Sequence, residues 1–282
     1  MDKKYKRLVI SGGGSNGFSS LGALHYLYTN DMMSELNEYI GTSVGSIICY
    51  LLAIGYSPID IIIYLCTRQI MKNFNQIDIV SFIKGDGAYD WEIINNNLEE
   101  LTREKLGRFV TLQELYENFN KKLSVITYNK TEYKKECVSH LNYPNMPCLT
   151  ALRLSSNIPL IFGRYKYMDS YYLDGAIANH FPVEYSEDEL TIALLTFIKT
   201  QDKNDDPDFK IENYLLELFS AILHKNVDES IIYANSKDNI DFISLEPITR
   251  GLNFSITSKQ ILNLFSFGYR KINDYFNNHL KI

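Results

Sequence analysis

The sequence carries no excess of positive charge. Its 28 Lys and Arg face 34 Asp and Glu, giving a net charge of −6, which argues against nucleic acid as a main partner. It is poor in cysteine: Cys49, Cys66, Cys137 and Cys148 make no Cys-x-x-Cys pair and no metal-type spacing. No metal site is therefore expected, and a reduced, cytoplasmic setting is the simpler reading. Long apolar runs are missing as well. The stretches IDIIIYL and LTIALLTFI fall well short of the roughly 18 residues that a spanning helix needs. The start, MDKKYKRLVISGGG, lacks the apolar run of about 7–15 residues that marks a secretory signal. A soluble protein is expected, with any membrane contact peripheral. Internal repeats and low-complexity tracts are also lacking.

What is present fits an ordinary globular chain: 282 residues, 45% hydrophobic and 22% charged, enough to bury a substantial core. Strand and helix patterns alternate along it. Residues 5–10 read as a strand, 18–32 as a helix and 38–42 as a short strand. Residues 44–54 read as a buried helix, because Ile47, Ile48, Leu51 and Leu52 follow a 3.6-residue period. Ser57-Pro58 opens a helix to about residue 71. Asp90 starts another to about residue 103, and TLQE at 111–114 forms a capping box.

Further strands are expected at 123–128, 137–140, 190–197 and 240–245, with a short helix at 150–156. The apolar residues between 211 and 223 mark one helix face, and residues 258–276 mark a closing helix. The polar stretch TQDKNDDPDFK, 200–210, is a loop. This alternation predicts an α/β fold with a mostly parallel sheet and helices on both faces. We expect a single domain over 1–282, with a motif-bearing core of about 5–198 and a C-terminal helical and strand part of about 211–282.

Two glycine-flanked sites end the first two strands. GTSVG at 41–45 places Ser43 between a strand and an apolar helix, with Gly41 and Gly45 on either side. That is the setting of a nucleophile elbow. The second site, SGGGSNG at 11–17, satisfies Gly-x-Gly-x-x-Gly and so competes as a dinucleotide loop. That fold wants a second long strand ending in an acid. Here the next strand ends in Thr42-Ser43, so no dinucleotide cofactor is expected. The same geometry suits an oxyanion hole, in which consecutive glycines turn N–H groups toward one point.

A serine nucleophile needs a base. Two Asp-Gly-Ala stretches supply Asp86 and Asp174, and there are five histidines: His25, His140, His180, His224 and His279. Asp86 lies in a polar break between helices, where a turn role suffices. Asp174 ends an extended aromatic stretch and is preferred. His180 follows in the Ser…Asp…His order of α/β-hydrolases, but only six residues after Asp174. It stays open as a rival base.

Taken together, SGGGSNG, GTSVG, DGA at 174–176, the lead-in ALRLSSNIPLIF at 151–162 and IANHFPV at 177–183 resemble the patatin-like phospholipase family. The resemblance spans about residues 5–198. It implies an α/β/α sandwich, no cofactor or metal, and acyl-lipid substrates such as phospholipids. It also implies a Ser43–Asp174 pair without a catalytic histidine, and an oxyanion loop of Gly12, Gly13, Gly14 and Ser15. The expected activity is lipid acyl hydrolysis through an acyl-serine. Acyl transfer on the same pair, or lipid binding without catalysis, are the alternatives.

Three positions depart from the family pattern. Ser11 replaces an Asp, and Asn16 stands where Arg or Lys is usual, removing a charge that could meet a phosphate head group. His180 stands where a second Asn is common. Membrane contact could come from FSFGY at 265–269, from DSYYL at 169–173, or from the basic start Lys3, Lys4, Lys6 and Arg7.

Overall fold

The computed structural model describes residues 3–68, 70, 74, 79–186, 188–196, 227–246 and 256–279. The expected loop at 200–210, the helix at 211–223 and His224 lie outside them. Among the described residues, the sheet centres on β1 (Arg7–Ile10), flanked in parallel by β2 (Glu38–Thr42) and β7 (Thr191–Thr196). β8 (Ile240–Leu245) adds in parallel to β7, and β3 (Lys122–Asn129) adds in parallel to β2. Every residue of β1 and β7 is buried, as expected for strands covered on both faces.

The sheet is mostly parallel, as the alternation predicts, with antiparallel strands added at one side. β4 (Lys134–Val138), β5 (Tyr165–Tyr167) and β6 (Ser170–Asp174) are antiparallel additions. β4 starts earlier than the expected 137–140. Lys134 and Lys135 point outward there, and such charges protect an edge strand from pairing further. Their polarity hides the strand in a hydropathy reading.

Helices cover both faces. α1 (Gly17–Thr29), α2 (Val44–Ala53) and α3 (Pro58–Arg68) follow the first strands. Ser57 and Asp60 cap α3 reciprocally, with Ser57 N and Oγ both donating to Asp60 Oδ2 at 3.0 and 2.7 Å. α4 (Ile79–Lys84), α5 (Glu92–Leu106), α6 (Leu112–Phe119) and α7 (Cys148–Ser155) come before the hairpin of β5 and β6. Asp90 Oδ1 accepts Glu92 N–H at 2.9 Å. The capping box holds as well: Thr111 Oγ1 accepts Glu114 N–H at 3.2 Å while Glu114 Oε2 accepts Thr111 N–H at 2.8 Å.

α8 (Val227–Asn235) and α9 (Ser258–His279) complete the described helices. α9 lies along α1, with Tyr26 stacked on Phe276 at 5.9 Å and His25 against Phe265 at 5.4 Å. Phe265, from the FSFGY stretch, is therefore spent on core packing. The basic start is spent too: Lys3 pairs with Asp241, Lys4 with Asp31, Lys6 with Glu189 at 3.2 Å, and buried Arg7 with Glu38 at 2.6 Å. These pairs sit at the N-terminal ends of the parallel strands. No single helix among the described residues is long and apolar enough to cross a membrane.

Candidate active site

Strand β3 brings the site together. Its residues Val125 and Ile126 pair with β2 on one side and with β4 on the other. Residues Thr127–Asn129 keep β4 but pair with β6 instead of β2. β2 and β6 therefore lie end to end along the same edge of β3. Thr42 is opposite Ile126, and Asp174 is opposite Thr127, the next residue. Ser43 directly follows Thr42, so the two strand ends deliver Ser43 and Asp174 to one point. Ser43 Oγ donates to Asp174 Oδ2 at 2.6 Å.

Ser43 turns sharply from strand to helix, with φ 53° and ψ −127°. A non-glycine residue there stores roughly 1–3 kcal/mol of strain. The surroundings hold it in place. Ser43 N–H donates to Ser155 Oγ at 2.9 Å, and Ser155 Oγ donates in turn to Ile126 O at 2.6 Å. Ser46 Oγ and N–H both donate to Ser43 O, at 2.6 and 2.9 Å. Gly45 is needed for close approach, since a Cβ there would come within 2.5 Å of the carbonyl oxygens of Ile10 and Ser11. That contact seats the serine turn directly on the end of β1. A Cβ on Gly41 would likewise meet Ser46 N at 2.5 Å.

Asp174 is fully buried. Desolvation pushes its carboxyl up to about 7, although hydrogen bonds from Ser43 Oγ and Ala176 N–H (2.8 Å) favour the charged form. The carboxyl can therefore take up or give back a proton near neutral pH. Its backbone is braced by Asn157: Asp174 N–H donates to Asn157 O at 2.9 Å, and Asn157 Nδ2 donates to Tyr172 O at 2.7 Å. Asn157 is gripped by Arg153, whose Nη1 donates to Asn157 Oδ1 at 2.6 Å. Arg153 is itself buried among the rings of Trp91 and Tyr165, 4.7 and 5.0 Å from its guanidinium carbon.

The glycine loop closes over the end of β1. Gly13 and Gly14 adopt φ 152° and 53°. A side chain on Gly13 would collide with Thr196 Oγ1, 2.2 Å from the position of its Cβ. Gly12 N–H is already engaged, donating to His180 O at 3.0 Å. Ser11, at the family's Asp position, ties the loop to β7: Thr196 N–H donates to Ser11 Oγ at 2.8 Å, and Thr196 Oγ1 donates to Gly12 O at 2.6 Å. Ser15 and Asn16 are buried. Asn16 N–H donates to Gly13 O at 3.0 Å, and Asn16 O accepts Ser19 Oγ at 2.6 Å. The Asn16 backbone is thus tied into the start of α1.

His180 is buried under the loop. Its Nε2 lies 3.1 Å from Thr196 O, a group that only accepts, so Nε2 carries the proton. The ring backs onto Gly12, whose Cβ would lie 3.0 Å from Nδ1. The hydroxyl of Ser43 points to Asp174, and His180 points to β7. His25 packs at a tilt against Phe265, His140 stacks on Tyr116 at 4.5 Å, and Asp86 is an exposed turn residue. Ser155, Asn157 and Thr196 were not expected from the sequence. Small polar residues within apolar elements have no local signature, and their partners lie 112, 17 and 184 or more residues away.

The model of the patatin-like phospholipases matches residues 8–186, more than half of the chain. The chain belongs to the patatin-like phospholipase family. A probable lipid hydrolase of Invertebrate iridescent virus 6 is 30% identical over 88% of this chain and 92% of its own length. An uncharacterised protein of Acanthamoeba polyphaga mimivirus is 27% identical over 96% of this chain and 93% of its own. Among solved structures, VipD from Legionella pneumophila superposes with a TM-score of 0.59 at 18% identity, covering 98% of this chain and 67% of VipD. That similarity is one of fold. The patatin-like fold, a mostly parallel sheet between helical layers, is the one predicted, and lipid hydrolysis is the activity of the family. Among the described residues no cluster of His, Cys, Asp and Glu is arranged to hold a metal ion.

Proposed function

We propose that this protein hydrolyses fatty acyl esters of lipids, with Ser43 as nucleophile and Asp174 as its base. The observation that carries this reading is the 2.6 Å hydrogen bond from Ser43 Oγ to the fully buried Asp174, whose carboxyl desolvation pushes up to about 7. Asp174 takes the hydroxyl proton as Ser43 Oγ bonds to the ester carbonyl carbon. The charge gathers on the carbonyl oxygen, where Gly13 and Gly14 N–H groups and the N-terminus of α2 stabilise it. Gly12 has a supporting part, because its N–H serves the His180 carbonyl. The intermediate collapses, the ester C–O bond breaks, and the lipid alcohol leaves with the proton from Asp174. Asp174 then deprotonates water, which attacks the acyl-serine carbonyl; the acyl–Oγ bond breaks, Asp174 returns the proton to Ser43 Oγ, and the fatty acid leaves.

The test sets wild type against Ser43→Ala on phospholipids, lysolipids and neutral glycerides, with a chelator present. Wild type is expected to release fatty acid and to react with a serine-directed phosphonate. Ser43→Ala is expected to lose both. Labelling that persists in the variant would sink the assignment of Ser43. An inert wild type would leave lipid binding without catalysis. Adding an alcohol acceptor and analysing the products separates hydrolysis from acyl transfer.

A further inference from the structure

β1, β2 and β3 run in the same direction, and the candidate site lies at their C-terminal ends. β3 continues past Thr42 to Asn129 and turns there into β4, while the tip of the β5–β6 hairpin lies alongside that turn. The two turns are stitched together: Lys130 N–H donates to Tyr171 O at 2.8 Å, and Tyr171 N–H donates to Thr131 Oγ1 at 2.9 Å. Asn129 Oδ1 accepts the N–H groups of both Thr131 and Glu132 at 3.0 Å, which makes the β3–β4 turn rigid. These tips are the part of β3 and β6 that projects beyond the edge carrying Ser43 and Asp174.

The tips present the wrong residues for ordinary turns. Tyr133 is 78% exposed, Met168 73% and Tyr171 44%. Tyr133 and Met168 are held at φ 53° and 51°, where bulky side chains are strained and Gly or Asn sits at ease. Tyr is an amphipathic residue suited to a membrane–water interface. Around these residues, the segments 130–135 and 164–171 hold Lys130, Lys134, Lys135, Arg164 and Lys166 against Glu132 and Asp169. Lys134 pairs with Glu132 at 2.5 Å and Glu136 at 3.4 Å, Lys135 with Glu184 at 2.9 Å and Lys166 with Asp169 at 3.7 Å, so Lys130 and Arg164 carry the excess over these pairs. A local excess of cations on a chain of net charge −6 complements an anionic surface. The basic start offers no rival, because it lies at the opposite ends of the strands from the candidate site.

We propose that the paired hairpin tips are the surface by which this protein lies on an anionic lipid bilayer, with Tyr133, Met168 and Tyr171 entering the interface and the flanking cations meeting the head groups. This rests on the lipid-ester reading for its purpose: it turns the site edge toward the leaflet that holds the substrate. The test is co-sedimentation with vesicles of phosphatidylcholine with and without phosphatidylserine, and it needs no turnover. Wild type is compared with a Tyr133→Asn, Met168→Asn, Tyr171→Ser triple variant, in which Asn accepts the positive φ.

Wild type is expected to partition onto the phosphatidylserine vesicles. The variant is expected to lose at least about tenfold in partitioning while its thermal midpoint and its hydrolysis of a water-soluble short-chain ester stay at the wild-type level. Equal partitioning of the two proteins, or no preference of wild type for the anionic vesicles, would overturn the proposal. So would a parallel fall in soluble-ester turnover, which would assign the tips to the site itself. If wild type turns over no ester at all, the catalytic reading fails while partitioning still decides this one.

Discussion

Two regions of the molecule carry the same tripeptide, Asp-Gly-Ala, at 86–88 and 174–176, and they meet different fates. Asp86 is exposed in the turn after α4, and Gly87, at φ 91°, packs against the backbone of Phe162 and Gly163. Asp174 ends a strand, is fully buried, and accepts the hydroxyl of Ser43. The tripeptide supplies only a turn. The register of β6 on β3 and the loss of solvent set Asp174 apart, facing Ser43. Burial pushes the Asp174 carboxyl up to about 7, whereas Asp86 stays exposed to water.

The sharpest way to break this contrast is to neutralise each acid in turn. Asp174→Asn is expected to lower kcat for ester hydrolysis by roughly 10²–10⁴-fold, the usual contribution of a general base. Asp86→Asn is expected to stay within about twofold of wild type, as surface changes usually do. Equal losses, or an active Asp174→Asn alongside a dead His180→Ala, would move the base elsewhere. The brace comes next. Asn157→Ala removes the Arg153 and Tyr172 contacts that hold the Asp174 strand, and a drop of about tenfold in kcat follows if one buried hydrogen bond's worth of positioning is lost. Assays on a soluble ester check it, with KM expected to change little.

The smallest effect is on stability. Folded Asp174 keeps its proton up to about pH 7, while an unfolded Asp releases it near pH 4. Between those values the folded state binds more protons, so stability falls as pH rises from about 4 to about 7. Asp174→Asn removes that penalty. Its melting temperature is expected to match wild type near pH 4 and to exceed it by several degrees above pH 8, as read by calorimetry. The same group sets an acid limb in kcat/KM, with activity falling below about pH 7. Asp86→Asn is expected to show neither effect.

Much of the parallel half was legible in the sequence. β2 occupies 38–42 and β8 occupies 240–245, as the patterns predict, because a short apolar segment at a glycine turn and an apolar-rich segment bounded by polar residues are local signals. Ser43 and Asp174 could be picked out for the same reason: each ends a strand at a glycine-bearing turn. The antiparallel half was much less so. The tip of the β5–β6 hairpin reads Tyr-Met-Asp-Ser, without the Gly or Asn that marks a tight hairpin, and the tyrosines on both of its faces blur the alternation. The exposed lysines hide the first half of β4, so the expected strand at 137–140 overlaps it only at Cys137 and Val138. Ser155 and Asn157 act through contacts fixed by tertiary register, which no short stretch of sequence encodes.

Because β2 and β6 meet end to end on β3, the candidate pair of Ser43 and Asp174 is closed by a contact 131 residues apart along the chain. Closing so long a loop costs entropy before the contact can form, so such pairings arise late as a chain folds. During refolding from denaturant, helix content and a collapsed core can return while Ser43 still faces no base. Ester turnover then recovers with the slowest strand pairing, and it marks completion of the sheet more strictly than a spectroscopic measure of helicity.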